Sequence, residues 1–447
     1  MIENNKTATH SRKLGSASIG FFLFLLLALA LPSQAQAAPF VAHVQGAGKN
    51  TVSIVLTTPF GSNGKSATLQ KAISSNFALL PLVVEVNANG IPGGPAAEAA
   101  NGQGVNFNRF ALAGANLLIT TNWVDSSHVE LRCFEVSEGR FMFGNRYEVG
   151  KGDDGVLDVA DKFCADFLEM VIGNGGFFRS NLAFIRIDGP RKRDVWVMKP
   201  NGRHLRRITN MPGEALSPTW SPDGRFVLFT HIDSRSHALG VWDGTARSVQ
   251  RIKFPGNTVI GPTFMPDNRV AVSLTDGRNP SIFLLNHAFQ KEHKLDNSTA
   301  IDVSPSVDAS GTRMVFTSNR YGNPHIFMKD LRSGAVTRIT TNGKYNTDPS
   351  ISPDGTAVTF ARMEGGGHRI YVYDLVNNTE RQITFGPGSD EQPEFAPDSY
   401  FITFMSTRNG QKQIYVTTRE GGTAKKLPTG NGDASFPAWG AVYGSAK

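Results

Sequence analysis

Cysteine is nearly absent from this chain, whose 447 residues carry only Cys133 and Cys164. A cysteine-ligated metal centre and a multi-bridge framework are thereby excluded, leaving a single disulfide or two buried thiols as alternatives. Charge is also sparse, at 19% of residues against 40% hydrophobic, an ordinary globular composition. No long basic stripe with interleaved aromatics occurs, and the densest cluster, Arg191-Lys192-Arg193, reads as a solvated hairpin tip, so nucleic acid is not an expected partner. The histidines show no metal-ligand spacing. No Gly-x-Ser-x-Gly elbow is present. Gly61-Ser-Asn-Gly-Lys-Ser66 has the look of a phosphate loop, but Pro59 stands where that motif needs its first glycine.

Long apolar runs are missing too, with one exception near the start. Lys6, Arg12 and Lys13 precede the run from Ile19 to Leu31, and Ala35-Gln36-Ala37 supplies small residues for cleavage, the pattern of a secretory signal. That run is too short to span a bilayer as a helix. Removal of residues 1–37 is expected to leave a soluble, exported protein with its formal charge lowered from +7 to +5.

What the chain does have is a period. Prolines at 218, 262, 305, 349, 393 and 437 are spaced by 43 or 44 residues, the repeat length of β-propeller blades. Behind them come tight turns such as Ser221-Pro-Asp-Gly224 and Ser352-Pro-Asp-Gly355, in which proline, aspartate and glycine suit successive positions of a type I turn. Each turn leads to a short apolar strand, such as Phe226-Val-Leu-Phe229 or Phe401-Ile-Thr-Phe404, and then to a strand carrying an aromatic, such as Ile370-Tyr371. Each repeated proline is expected to mark the start of an inner strand. Leu182 to Thr209 supplies three outer strands without an inner one, and Phe436-Pro-Ala-Trp439 is an inner strand with nothing after it. A six-bladed ring closed by the C-terminal strand follows, its open edges paired.

Before the ring, residues 38–175 read as a small α/β domain, with the propeller over 176–447. Val52 to Leu56, Leu82 to Val86, Leu117 to Ile119, His128 to Val136 and Arg140 to Val149 read as strands; Ser66 to Leu80 and Gly155 to Ile172 carry helical apolar stripes. The Gly/Ala/Asn-rich stretch 87–104 reads as a surface loop and Gly173-Asn-Gly-Gly176 as an exit hinge. Cys133 and Cys164 lie on a strand face and a helix face able to meet.

In a propeller, the segments leading into the inner strands lie at the channel mouth beside the hairpins joining the second and third strands. The first set carries Glu214, Asp302, Asp348, Asp390, Glu391 and Asp433, with the acid-free segment containing Thr258 as the exception. The second carries Arg191 to Arg193, Arg235, Arg278, Arg320, Arg362 and Arg408. An acidic mouth inside a basic rim is one reading, suited to orienting a polar partner; turn caps and solubilising charges are the other. Clustered carboxylates also leave Ca²⁺ open as a ligand, and no other cofactor is implied.

Asn106-Phe-Asn-Arg-Phe-Ala-Leu-Ala-Gly-Ala-Asn-Leu-Leu-Ile119, the Ser-Pro-Asp-Gly repeats and the closing Phe436-Pro-Ala-Trp439 together resemble the TolB family of the Tol-Pal system. The resemblance implies a periplasmic, non-enzymatic protein, monomeric within a larger complex, that binds a Pal-like peptidoglycan-associated lipoprotein at the propeller mouth and a TolA-like protein through its N-terminal region. A role in outer-membrane integrity and in invagination at cell division is implied as well. Asn346-Thr-Asp-Pro349 looks like the family's Asn-Thr-acid-Pro element at the Pal-facing mouth, making Thr347 and Asp348 the leading contact residues, with Asn346 and Tyr345 beside them. An exported propeller hydrolase or a glycan-binding protein is the alternative.

Overall fold

In the computed structural model, the described residues are 51–442 apart from 62, 190, 191, 235, 257, 276 and 277, so the expected leader lies outside them. β1 (Val52–Leu56) is a β-branched run with Val52, Ile54 and Val55 almost fully buried. Such a run suits a strand covered on both faces, and β1 lies between two parallel neighbours, β2 (Val83–Glu85) and β3 (Leu117–Trp123). β4 (His128–Glu135) and β5 (Arg140–Glu148) add antiparallel strands, giving the order β2-β1-β3-β4-β5.

Two helices pack on one face of this sheet. α1 (Ser66–Ala78) buries Leu69, Ile73 and Phe77 at four-residue spacing. After the short α2 (Phe107–Leu112), α3 (Gly152–Ile172) buries Val156, Val159, Phe163 and Phe167, has Asp153 and Asp154 in its first turn and stops at left-handed Gly173. Both ends follow the helix dipole and cap rules. Cys133 and Cys164 are fully buried, unbonded thiols here, and burial pushes both well above the usual thiol range.

One expectation is filled in and another needs correction. The stretch 87–104 is the surface loop expected, and its one buried residue, Ile91, packs with Phe110, Leu118 and Phe134 in a second core on the other face of the sheet. Arg109 of α2 staples it, donating to the carbonyls of Gly94, at 2.6 Å, and Ala96 and pairing with Glu98 at 3.3 Å. The glycines at 173–176 do not form a hinge. α4 (Gly176–Arg179) follows at once, and the buried Phe177 ring lies 4.9 Å from Phe401 and 5.2 Å from Trp439 between centroids. A Cβ on Gly175 would sit 2.4 Å from the Ala165 carbonyl oxygen, so this joint is closed by packing. One apolar cluster runs from Phe77 and Phe163 through Phe177 to Phe184 and Trp439.

The propeller has six blades. Their inner strands, counted from the first blade, are Asp433–Trp439, Glu214–Trp220, Val259–Phe264, Asp302–Val307, Asn346–Ile351 and Asp390–Phe395. Asp433–Trp439 pairs antiparallel with Leu182–Gly189, so the chain end completes blade one, as expected. Apolar clusters bridge neighbouring blades: Val241 of blade two packs with Val272 and Phe283 of blade three, and Phe360 of blade five with Val315 and Ile326 of blade four.

The repeated prolines do not mark strand starts. Each lies in the middle of its inner strand, within a bulge: the ladder skips from Thr347 to Ser350, from Glu391 to Glu394 and from Val303 to Ser306. Proline has no N–H to give a ladder, so a bulge is where a strand tolerates it. The preceding residue is left-handed in all six blades: Ser217, Gly261, Ser304, Asp348, Gln392 and Phe436 have φ of 47°, 53°, 56°, 51°, 56° and 51°.

Candidate functional site: the channel and its mouth

The six bulges meet on the ring axis. Their prolines, the residues before them and all but one of the residues after them line one cavity of 120 Å³. The residues after the prolines are Thr219, Thr263, Ser306, Ser350, Glu394 and Ala438, four hydroxyls with one carboxylate and one alanine. Two hydroxyls tie blades together, Ser306 accepting from the Ile351 amide and Ser350 from the Phe395 amide, each at 3.1 Å. Glu394 also faces a wider cavity of 400 Å³ at the end carrying the Ser-Pro-Asp-Gly turns, lined by Trp220, Phe264, Ile351 and Trp439. Burial raises the Glu394 carboxyl to about 7.

At the opposite end are the first residues of the inner strands, and their charges are not what a free acidic ring would show. Asp302 and Asp390 are at most 1% exposed. Arg320 reaches Asp302 at 3.1 Å, and Arg408 reaches Asp390 at 3.0 Å. Glu214 pairs with Arg193 at 3.4 Å. Asn346 is buried, its Oδ1 accepting from Arg362 Nε at 2.8 Å while Glu380 takes the rest of that guanidinium at 2.7 Å. Each of Arg320, Arg362 and Arg408 also lies over aromatic rings of its own blade. Half of the expected acidic ring is therefore tied up in internal ion pairs with arginines of the expected rim, and in blades four and six this is because an arginine two residues past the second strand folds back onto the start of the first. Arg191 and Arg235 lie outside the described residues, Arg278 is exposed, and Thr258 is half-buried just before the inner strand of blade three.

What remains open is a sector formed by blades five, six and one. Asp348 and Asp433 are half-buried and have no cationic side chain within ion-pair distance among the described residues. Glu391 accepts a hydrogen bond from Ser389 Oγ at 2.6 Å and lies 3.7 Å from His368 Nδ1. Tyr345, 39% exposed, sets its ring edge-on to His368 with centroids 6.1 Å apart. Thr347 is half-buried beside them, in register with Ala361.

The titrations follow from these contacts. Burial raises Asp348 to about 6, the Glu391 charge adding to the effect and His368 opposing it. The Glu391 carboxylate beside it raises His368, and the same contact lowers Glu391. Ser389 Oγ donates to Glu391 at 2.6 Å and lies farther, at 3.5 Å, from His368 Nδ1, so its hydroxyl hydrogen is directed to the carboxylate rather than to a histidine base. Calcium finds no ready cage either: the two most buried mouth carboxylates already hold arginines, and among the described residues no group of three or more His, Cys, Asp or Glu side chains is arranged to hold a metal ion. His368, Ser389 and Glu394 were not among the residues singled out from the sequence. Only Glu394 had a signal there, as the one acid following a repeated proline.

Comparison with known proteins places this architecture. Residues 168–443 match the pattern of the TolB beta propeller domain. The chain is similar to the Tol-Pal system protein TolB of Nitratidesulfovibrio vulgaris, 52% identical over 316 residues, which is 68% of this chain and 71% of that one. The chain belongs to the TolB family. A second TolB relative, the protein TolB homolog of Chlorobium luteolum, is 28% identical over 329 residues, covering 71% and 72% of the two chains. The crystal structure of TolB from Acinetobacter baumannii matches with a TM-score of 0.75 over 87% of this chain and 96% of that chain, at 18% identity, a likeness of fold. The TolB propeller is thus shared, while the mouth sector is described by this chain's own residues. Among the described residues no helix is long and apolar enough to cross a membrane.

Proposed function

We propose that this TolB-family chain is a non-enzymatic component of the Tol-Pal envelope system, exported to the periplasm after loss of residues 1–37 and built from domains over 38–175 and 176–447. Its propeller mouth docks a Pal-like lipoprotein, and its N-terminal region engages a TolA-like protein. Through these links it supports outer-membrane integrity and invagination at division. The observation carrying the docking reading is Asp348. It stands half-buried and without an ion-pair partner among the described residues, in a mouth where Asp302, Asp390 and Glu214 are each ion-paired. Thr347 and Tyr345 flank it, with Glu391 and Asp433 in the same sector; Asn346 serves by holding Arg362 behind the strand.

The test is binding of the mature protein to the Pal-like lipoprotein of the same cell. Asp348→Ala with Thr347→Ala should weaken it at least about tenfold, a loss of roughly 1.4 kcal/mol or more. Recovery of no Pal-like lipoprotein from envelope extract, or unchanged affinity in the double variant, would sink the reading. Turnover of a substrate dependent on a mouth carboxylate would favour the hydrolase alternative.

A further inference from the structure

A second cleft lies away from the channel. It measures 730 Å³ and runs between α3 and the outer strands of blade one, with the α4 connection along it. Clefts of this size between domains are common ligand sites. Phe178, Val197 and Met198 form an apolar floor.

The acids lining it are already engaged. Asp161 accepts from Lys199 at 2.9 Å and Arg203 at 2.7 Å, and from the side-chain amides of Asn76 and Asn201. Asp158 meets Arg203 at 3.0 Å and Lys199 at 3.3 Å. Asp166 takes Arg179 at 2.9 Å and the Tyr147 hydroxyl at 2.7 Å. Three basic side chains remain without a carboxylate among the described residues: Lys162 on the α3 wall, and His204 and Arg206 on the propeller wall, all exposed. Arg206 lies over Trp242, 5.5 Å from the ring centroid. The cleft therefore offers an apolar floor between two walls whose unanswered charge is positive.

We propose that this cleft binds a short acidic peptide segment of a partner protein, laid along the floor with its carboxylates directed to Lys162 and Arg206. Charge complementarity selects this occupant. Residues 38–50 of the chain itself contain no Asp or Glu and cannot answer those charges. A phosphate ion would answer one of them, whereas a peptide carrying several carboxylates can answer both walls at once. The site is separate from the mouth and does not depend on how the mouth is used.

Fluorescence anisotropy with a labelled Leu-Glu-Phe-Glu-Leu-Glu hexapeptide and its glutamine counterpart tests it on the mature protein. The glutamate peptide should bind about tenfold or more tighter. Lys162→Glu with Arg206→Glu should abolish that preference, while Lys425→Glu with Lys426→Glu, the same charge change on the outer strand of blade six, should keep it. Asp348→Ala should also keep it, which separates this site from the mouth. Absence of binding, equal loss in both charge-reversed doubles, or displacement of the peptide by submillimolar inorganic phosphate overturns the proposal.

Discussion

Arg408 shows how a mouth residue can be structural. Its Nη2 lies 3.0 Å from Asp390, its Nε donates to Ser406 Oγ at 2.9 Å, and its guanidinium stands 4.7 Å from the centroid of Tyr415. Arg320 repeats this with Asp302, Ser318 and Phe327. Removing one member of a buried pair strands the other, so Arg408→Ala should cost about 3 to 5 kcal/mol in chemical denaturation. The fraction that still folds should bind the Pal-like partner normally. A loss below about 1 kcal/mol would mean that Asp390 is solvated after all. Sequence reading placed the acid and the arginine at one end of the blade but not in contact. Their meeting depends on register: Asp390 lies opposite Ser406, two residues before Arg408, which lets the long side chain turn back. Asp348 escapes this fate because its blade has Asn346 at the equivalent position and draws the carboxylate for Arg362 from Glu380 instead.

The inner strand is the element whose period was most legible and whose shape was least so. Spacing identifies a blade because every copy must present the same pleat to its neighbours, yet spacing does not tell whether a proline opens a strand or sits in a bulge within it. The left-handed residue before each proline decides that, and glycine takes the position only at Gly261. Elsewhere a side chain is held where L-residues are strained by about 1 to 2 kcal/mol. Ser304 has φ of 56°, so Ser304→Gly should raise stability by up to about 1 kcal/mol. Gly261→Ala should lower it by a similar amount, since its new Cβ lies 3.4 Å from Ser304 Cα and leaves the strain as the main cost. Denaturation midpoints of the two variants should move in opposite directions; movement in the same direction would show that φ is not what the position selects. The sheet and helices before the ring were legible from periodicity, whereas the packing of 87–104 was not. Its polar, glycine-rich composition gives no face, and the Arg109 staple that seats it lies in a different element.

On the scale of the whole molecule, carboxylates taken out of water by the ring set how stability responds to pH. Burial raises Glu394 and Asp398 to about 7 and Asp348 to about 6, and contact with Glu391 raises His368. A group whose value is higher in the folded chain than in the unfolded one stabilises below its unfolded value, and that contribution is lost as pH rises through the folded one. For the three acids the loss runs from about pH 4 to about pH 7. Asp354 and Glu380 act oppositely: hydrogen bonds from Ser352 and Arg362 outweigh their burial and lower them, so their contribution disappears on acidification. Stability should therefore be greatest on the mildly acidic side of neutrality. Glu394→Gln isolates one contribution, because glutamine keeps the shape and cannot ionise. At pH 4.5 the variant and the parent should denature alike; at pH 8 the variant should be more stable by about 2 kcal/mol, allowing for the partial exposure of Glu394. Equal stability of the two at pH 8 would mean that water in the channel solvates the carboxylate fully, and the gap between the 120 Å³ and 400 Å³ cavities would then be open to solvent at the level of Glu394.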